Sequence, residues 1–141
     1  MPTSGAGSTL RPWPPVMASA GTLNKVAAEV CAVVGGVHAA TDVTGFGLAG
    51  HALEMARGSG VSLHIDAAAL PQLPQALAMY ERGVSTGVNA EHHEVVDAVT
   101  RFDRELSPAM GELLVDPQTS GGLLVAVDHA QAESPYHLVF F

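Results

Sequence analysis

Between His38 and Arg57 the chain reads HAATDVTGFGLAGHALEMAR, and this stretch concentrates the groups with chemistry to offer. Asp42 supplies a carboxylate, Thr41 and Thr44 supply hydroxyls, and Gly45, Gly47 and Gly50 supply backbone that a ligand can approach where a loop turns into a helix. A carboxylate at a helix N-terminus tolerates a phosphate only when a cation bridges the two. Magnesium takes one or two carboxylates together with phosphate oxygens, so the inventory fits a magnesium nucleotide, with Asp42 as metal ligand. Two other readings stay open from these residues. Gly45 to Gly50 is also GxGxxG, placed after a possible strand and followed beyond the next strand by Asp66, which is the layout of a dinucleotide site. Glycines and an Asp at such a turn can equally serve close packing and local hydrogen bonds.

A second glycine motif, DPQTSGG from Asp116 to Gly122, offers Thr119, Ser120 and the backbone of Gly121 to anions or to waters around a metal. By itself it is equally good turn chemistry. His51 with Glu54, and His92-His93 with Glu91 and Glu94, show no metal spacing with a third ligand, so solvated or capping roles are expected for them. There is no nucleophile elbow and no P-loop, and no residue of this chain is assigned as catalytic.

The elements that must position these groups follow from periodicity. A helix is expected over Thr22 to Val34, capped by Thr22 and stopped by Gly35-Gly36, with Cys31 buried on its apolar stripe. A strand over Val37 to Val43 leads into the first loop, and a helix over Leu48 to Arg57 ends at Gly58 and Gly60. A second strand is expected over Val61 to Ile65, helices over Pro71 to Arg82 and His92 to Glu105, and a loop over Gly83 to Glu91. Ser107-Pro108 breaks the last helix, and DPQTSGG joins two apolar runs, Leu113 to Val115 and the strand Leu123 to Val127. The prolines at 12, 14 and 15 exclude helix from a flexible leader over residues 1–15. The domain proper spans 16–132, and 133–141 forms an irregular tail. The class is α+β, a mixed sheet covered by helices.

At 141 residues the chain has the length of one domain. It is 48% hydrophobic and only 14% charged, which suits a globular domain with part of its surface meant for another domain or subunit. A net charge of −8 argues against nucleic acid as partner. A single cysteine excludes an internal disulfide and fits a reducing, cytoplasmic setting. No apolar run is long enough to span a membrane, and the N-terminus lacks the order of a secretory signal.

HAATDVTGFGLAGHALEMA and LLVDPQTSGGLLVAV, with MASAGTLNKVAAEV upstream and the loop containing Asn89, together resemble the C-terminal domain of selenophosphate synthetase. The resemblance covers about Val16 to Ala132 and implies the aminoimidazole ribonucleotide synthetase-like superfamily, with its C-terminal domain fold. It implies an enzyme that makes selenophosphate, AMP and orthophosphate from selenide, ATP and water with magnesium. The partners so implied are ATP and selenide, bound together with an N-terminal domain, and the implied assembly is a homodimer. Asp42 takes the metal-binding role of the aspartate in TDVTGFG, jointly with aspartates of that N-terminal domain. The family's reactive cysteine, essential lysine and glycine-rich segment find no counterpart here, and Cys31 and Lys25 are not assigned those roles. Ser85 to Asn89 departs from the family's usual loop, and the leader and last residues do not match. A chain of this kind is expected to be inactive alone. A dinucleotide-binding module and a non-catalytic remnant are the alternatives.

Overall fold

A computed structural model of the chain describes residues 13–102, 106–128 and 138–140. Three strands form the sheet: β1 (Val37–Asp42), β2 (Leu123–Val127) and β3 (Leu138–Phe140), in the order β1-β2-β3. Both pairings are antiparallel, with Thr41 opposite Leu124 and Asp42 opposite Leu123. β2 lies in the middle, and its sequence LLVAV is apolar at every position, with Leu124 and Val125 buried. β1 alternates half-buried and exposed residues, as a strand with one covered face does.

The helices are α1 (Trp13–Gly21), α2 (Lys25–Val34), α3 (Gly47–Ser59), α4 (Ala76–Glu81), α5 (Asn89–Asp97) and α6 (Pro108–Val115). α3 lies on the sheet through the small residue Ala52, which permits close approach, and also buries Ala49 and Ala56. Val43, Ala52 and Leu124 form one core cluster, backed by Met55 and Leu63. Ala49, Val96, Leu114 and Val115 join α3 to α5 and α6 in a second, and Leu48 and Ile65 pack against both. Ser107 starts α6 as its N-cap, its Oγ accepting from the Met110 amide at 3.2 Å, with Pro108 following.

Several expectations are corrected. Pro14 and Pro15 lie in the first turn of α1, where the amide a proline lacks has no partner within the helix. Thr22 does not cap α2: its hydroxyl donates to the Ala18 carbonyl of α1 at 2.7 Å, and Asn24 holds the cap position. α2 buries none of its residues, so Cys31 is half-buried rather than buried. Val61 to Ile65 is no strand; it runs alongside the core, placing Leu63 and Ile65 against it, and Asp66 caps a 3-10 turn through the Ala68 amide at 3.0 Å. α4 shrinks to six residues behind Pro71 and Pro74, and α5 begins at Asn89, inside the expected loop, and ends at Asp97, well short of Glu105. Leu113 to Val115 is the last turn of α6, so DPQTSGG joins a helix to a strand. Within the tail expected to be irregular, Leu138–Phe140 forms β3; the leader through residue 12, residues 103–105, and positions 129–137 and 141 lie outside the described residues. Among the described residues no helix is long and apolar enough to cross a membrane.

Candidate functional site

The two glycine loops meet at one end of the β1–β2 pair, held by backbone contacts. The Val43 amide donates to the Gly122 carbonyl at 2.9 Å, and the Gln118 amide donates to the Thr44 carbonyl at 2.9 Å. Gly47, at φ +67°, packs so closely on α6 that a Cβ there would stand 2.6 Å from the carbonyl carbon of Val115. Gly121 is tighter still, since its Cβ would stand 2.2 Å from the Val43 carbonyl oxygen. These two glycines therefore serve close approach of chain to chain. Gly45 is exposed and faces open space.

Asp42 closes β1 with its side chain exposed, and among the described residues its carboxylate has no hydrogen bond or ion pair. Its backbone carbonyl accepts from the Thr41 hydroxyl at 3.0 Å. The Thr44 hydroxyl pairs with Nε2 of the buried His51 at 3.1 Å, and Glu54 Oε2 stands 3.3 Å from Nδ1 of the same ring. The exposed Phe46 lies between two imidazoles, 5.7 Å from His51 and 5.9 Å, edge-on, from His92. His92 in turn donates from Nδ1 to the Val115 carbonyl at 2.9 Å. A cavity of about 220 Å³ opens between β1 and α3, bordered by Thr41, His51, Glu54 and Met55.

In the second loop Thr119 is exposed, whereas Ser120 turns away to donate to the Ala20 carbonyl at 3.0 Å. The Gly121 carbonyl accepts from the Asn24 side chain at 3.2 Å, so the corner between α1 and α2 rests on this loop. Asp116 is engaged: it accepts from the Tyr80 hydroxyl and, at 2.9 Å, from the Gln118 amide group. Burial, and then the hydrogen bond to Asp116, push the Tyr80 phenol above its ordinary range, so it stays a donor. Asn89, fully buried, accepts from Thr86 and donates to Glu112 Oε2 at 2.7 Å; Ser85 donates to the same oxygen at 2.6 Å. Those two hydrogen bonds, Ser85 first, hold the Glu112 carboxyl below its ordinary value.

Thr41, Asp42, Thr44, Gly45 and Gly47 thus share one loop region with Thr119, Ser120 and Gly121 beside it. Among the described residues no group of three His, Cys, Asp or Glu could hold a metal. The dinucleotide layout is absent: β1 pairs antiparallel, the segment after α3 is not a strand, and Asp66 is spent on a turn. His51, expected in a solvated or capping role, is instead buried against Thr44, and because Thr44 lies in the loop before α3 no helical spacing announces the pair. Sequence reasoning had no means to place Tyr80 on Asp116, 36 residues away.

Comparison with known proteins matches residues 15–134 to the family described as AIR synthase related protein, C-terminal domain. Selenide, water dikinase of Pseudomonas straminea is 48% identical over 104 residues, 74% of this chain and 29% of that protein. The enzymes of the same name from Burkholderia ambifaria (strain MC40-6) and Porphyromonas gingivalis (strain ATCC 33277) are 45% and 44% identical over 111 residues, each covering 79% of this chain and 31% of the relative. The chain spans under a third of the length of these curated relatives. The resemblance read from the two glycine motifs therefore holds at the level of the domain, and the chain belongs to the AIR synthase related protein, C-terminal domain family.

Proposed function

We infer that the chain forms the C-terminal wall of a selenide, water dikinase site, in which selenide, ATP and water give selenophosphate, AMP and orthophosphate. The observation that carries this reading is Asp42, an exposed carboxylate without a partner among the described residues, at the end of a strand where two glycine loops are fixed together. The name of the relatives supports the reaction.

The residues present fit magnesium as a shared ion. One carboxylate, unpaired among the described residues, is what magnesium takes when phosphates and other groups complete its shell, and it is too little for a site built from the described residues alone. Bound there, magnesium would neutralise charge on the phosphates. Asp42 would hold it, and Thr41, Thr44, Gly45 and Thr119 would border the nucleotide, while Gly47 and Gly121 keep the two loops together and Ser120 stays on the Ala20 carbonyl. The backbone seam keeps both loops in one position, so the backbone next to Asp42 is held before ligand arrives.

The test joins this chain to the part of the Pseudomonas straminea enzyme that precedes the matched region. Asp42→Asn is expected to abolish selenophosphate formation, followed by phosphorus NMR, with an unchanged melting temperature because the side chain is exposed. Selenophosphate formation at the unsubstituted rate would overturn the assignment.

A further inference from the structure

The environment of Thr44 specifies more than a hydroxyl near a loop. Glu54 Oε2 lies 3.3 Å from His51 Nδ1, an ion-pair contact rather than a hydrogen bond, and a negative charge at that range favours the proton on that nitrogen. His51 Nε2 is then left as a lone pair, and the group 3.1 Å from it is the Thr44 hydroxyl, whose proton must point inward. The Thr44 carbonyl accepts from the Gln118 and Gly47 amides, which hold the backbone of the residue beside His51. Other titratable groups on the packed elements do not compete: Asp42 carries no ion pair among the described residues, and His92 is occupied by the Val115 carbonyl beyond Phe46.

We propose that Glu54 and His51 are positioning residues that turn the Thr44 hydroxyl so that it offers lone pairs, not a proton, to the ligand of this loop. A hydroxyl so turned accepts from the hydration water of a divalent cation and cannot donate to a phosphate oxygen. Thr44 thereby belongs to the cation's surroundings together with Asp42, and the glycine backbone is left to meet the anion. The proposal rests on the magnesium reading of Asp42 given above.

Two measurements test it. In the 141-residue chain, nitrogen-15 spectra of the imidazoles above pH 8 identify His51 by its loss in His51→Gln. The expected result is the tautomer protonated at Nδ1, with a shift towards the Nε2-protonated form in Glu54→Gln, which alters only an exposed side chain. An Nε2-protonated ring in the unsubstituted chain, or a tautomer indifferent to Glu54→Gln, overturns the proposal. In the joined enzyme, Glu54→Gln and Thr44→Val are expected to raise the magnesium concentration needed for half activity about tenfold, the size of effect of outer-shell partners. Thr44→Ser restores it. If Thr44→Val instead raises KM for ATP with the magnesium requirement unchanged, the hydroxyl serves the phosphate and the proposal fails. That failure is separable from failure of the underlying reading, which is reported by Asp42→Asn alone, and the spectra decide the tautomer even if the joined enzyme does not turn over.

Discussion

Gly121 shows how a single hydrogen in place of a methyl group governs this site. A Cβ at that position would overlap the Val43 carbonyl oxygen, and that obstacle is backbone, which cannot swing aside as the end of a side chain can. Gly121→Ala is therefore expected to lower unfolding free energy by about 3 kcal/mol, read by urea titration, whereas Gly45→Ala, in open space, stays within about 1 kcal/mol. Glu112 provides a second test. Its folded-state carboxyl lies below the ordinary 4.5, so its contribution is fully present above pH 4.5 and is lost as the pH falls through the folded-state value. Glu112→Gln should flatten the decline in melting temperature below pH 4.5, and an unchanged slope would remove Glu112 from the acid response.

α2 presents the contrast at the scale of an element. Its spacing is amphipathic, yet Val26 is 68% and Val33 is 87% exposed. Val33→Lys is therefore expected to leave stability within about 0.5 kcal/mol and to reduce binding of an apolar fluorescent dye. A large loss of stability would mean that the face is covered in the isolated chain. The same helix marks how far the sequence was legible. Periodicity located α2, α3, β1 and β2, because each repeats its pattern over several residues. It mistook Val61 to Ile65 for a strand, since alternation states which side chains turn inward and not whether a neighbouring strand exists to take the backbone hydrogen bonds. The α6 helix was missed because LLV is apolar in either state, and the deciding signal was Ser107-Pro108, which begins a helix as readily as it ends one. Of the candidate site, the two motifs were legible as local strings. Their mutual contact, some 75 residues apart, was not, because nothing local in either string states its partner.

For the molecule as a whole, the proposed function would set one carboxylate, unpaired among the described residues, against a ligand of several negative charges, in a protein whose own net charge is −8. Calorimetry of the 141-residue chain with magnesium and ATP should accordingly show no binding of micromolar strength, and should show it once the preceding region of a relative is joined. Micromolar affinity in the isolated chain would contradict the shared-ion reading. The seam between the loops carries a further consequence, for anyone exchanging parts between relatives. Residues 42–47 and 115–122 interlock through Val43, Thr44, Gly47 and Gly121, so each is cut to the shape of the other. A graft that replaces one loop with a sequence of different length leaves a mismatch that its mate cannot absorb; the unit of exchange is the pair, moved together like a lock with its key.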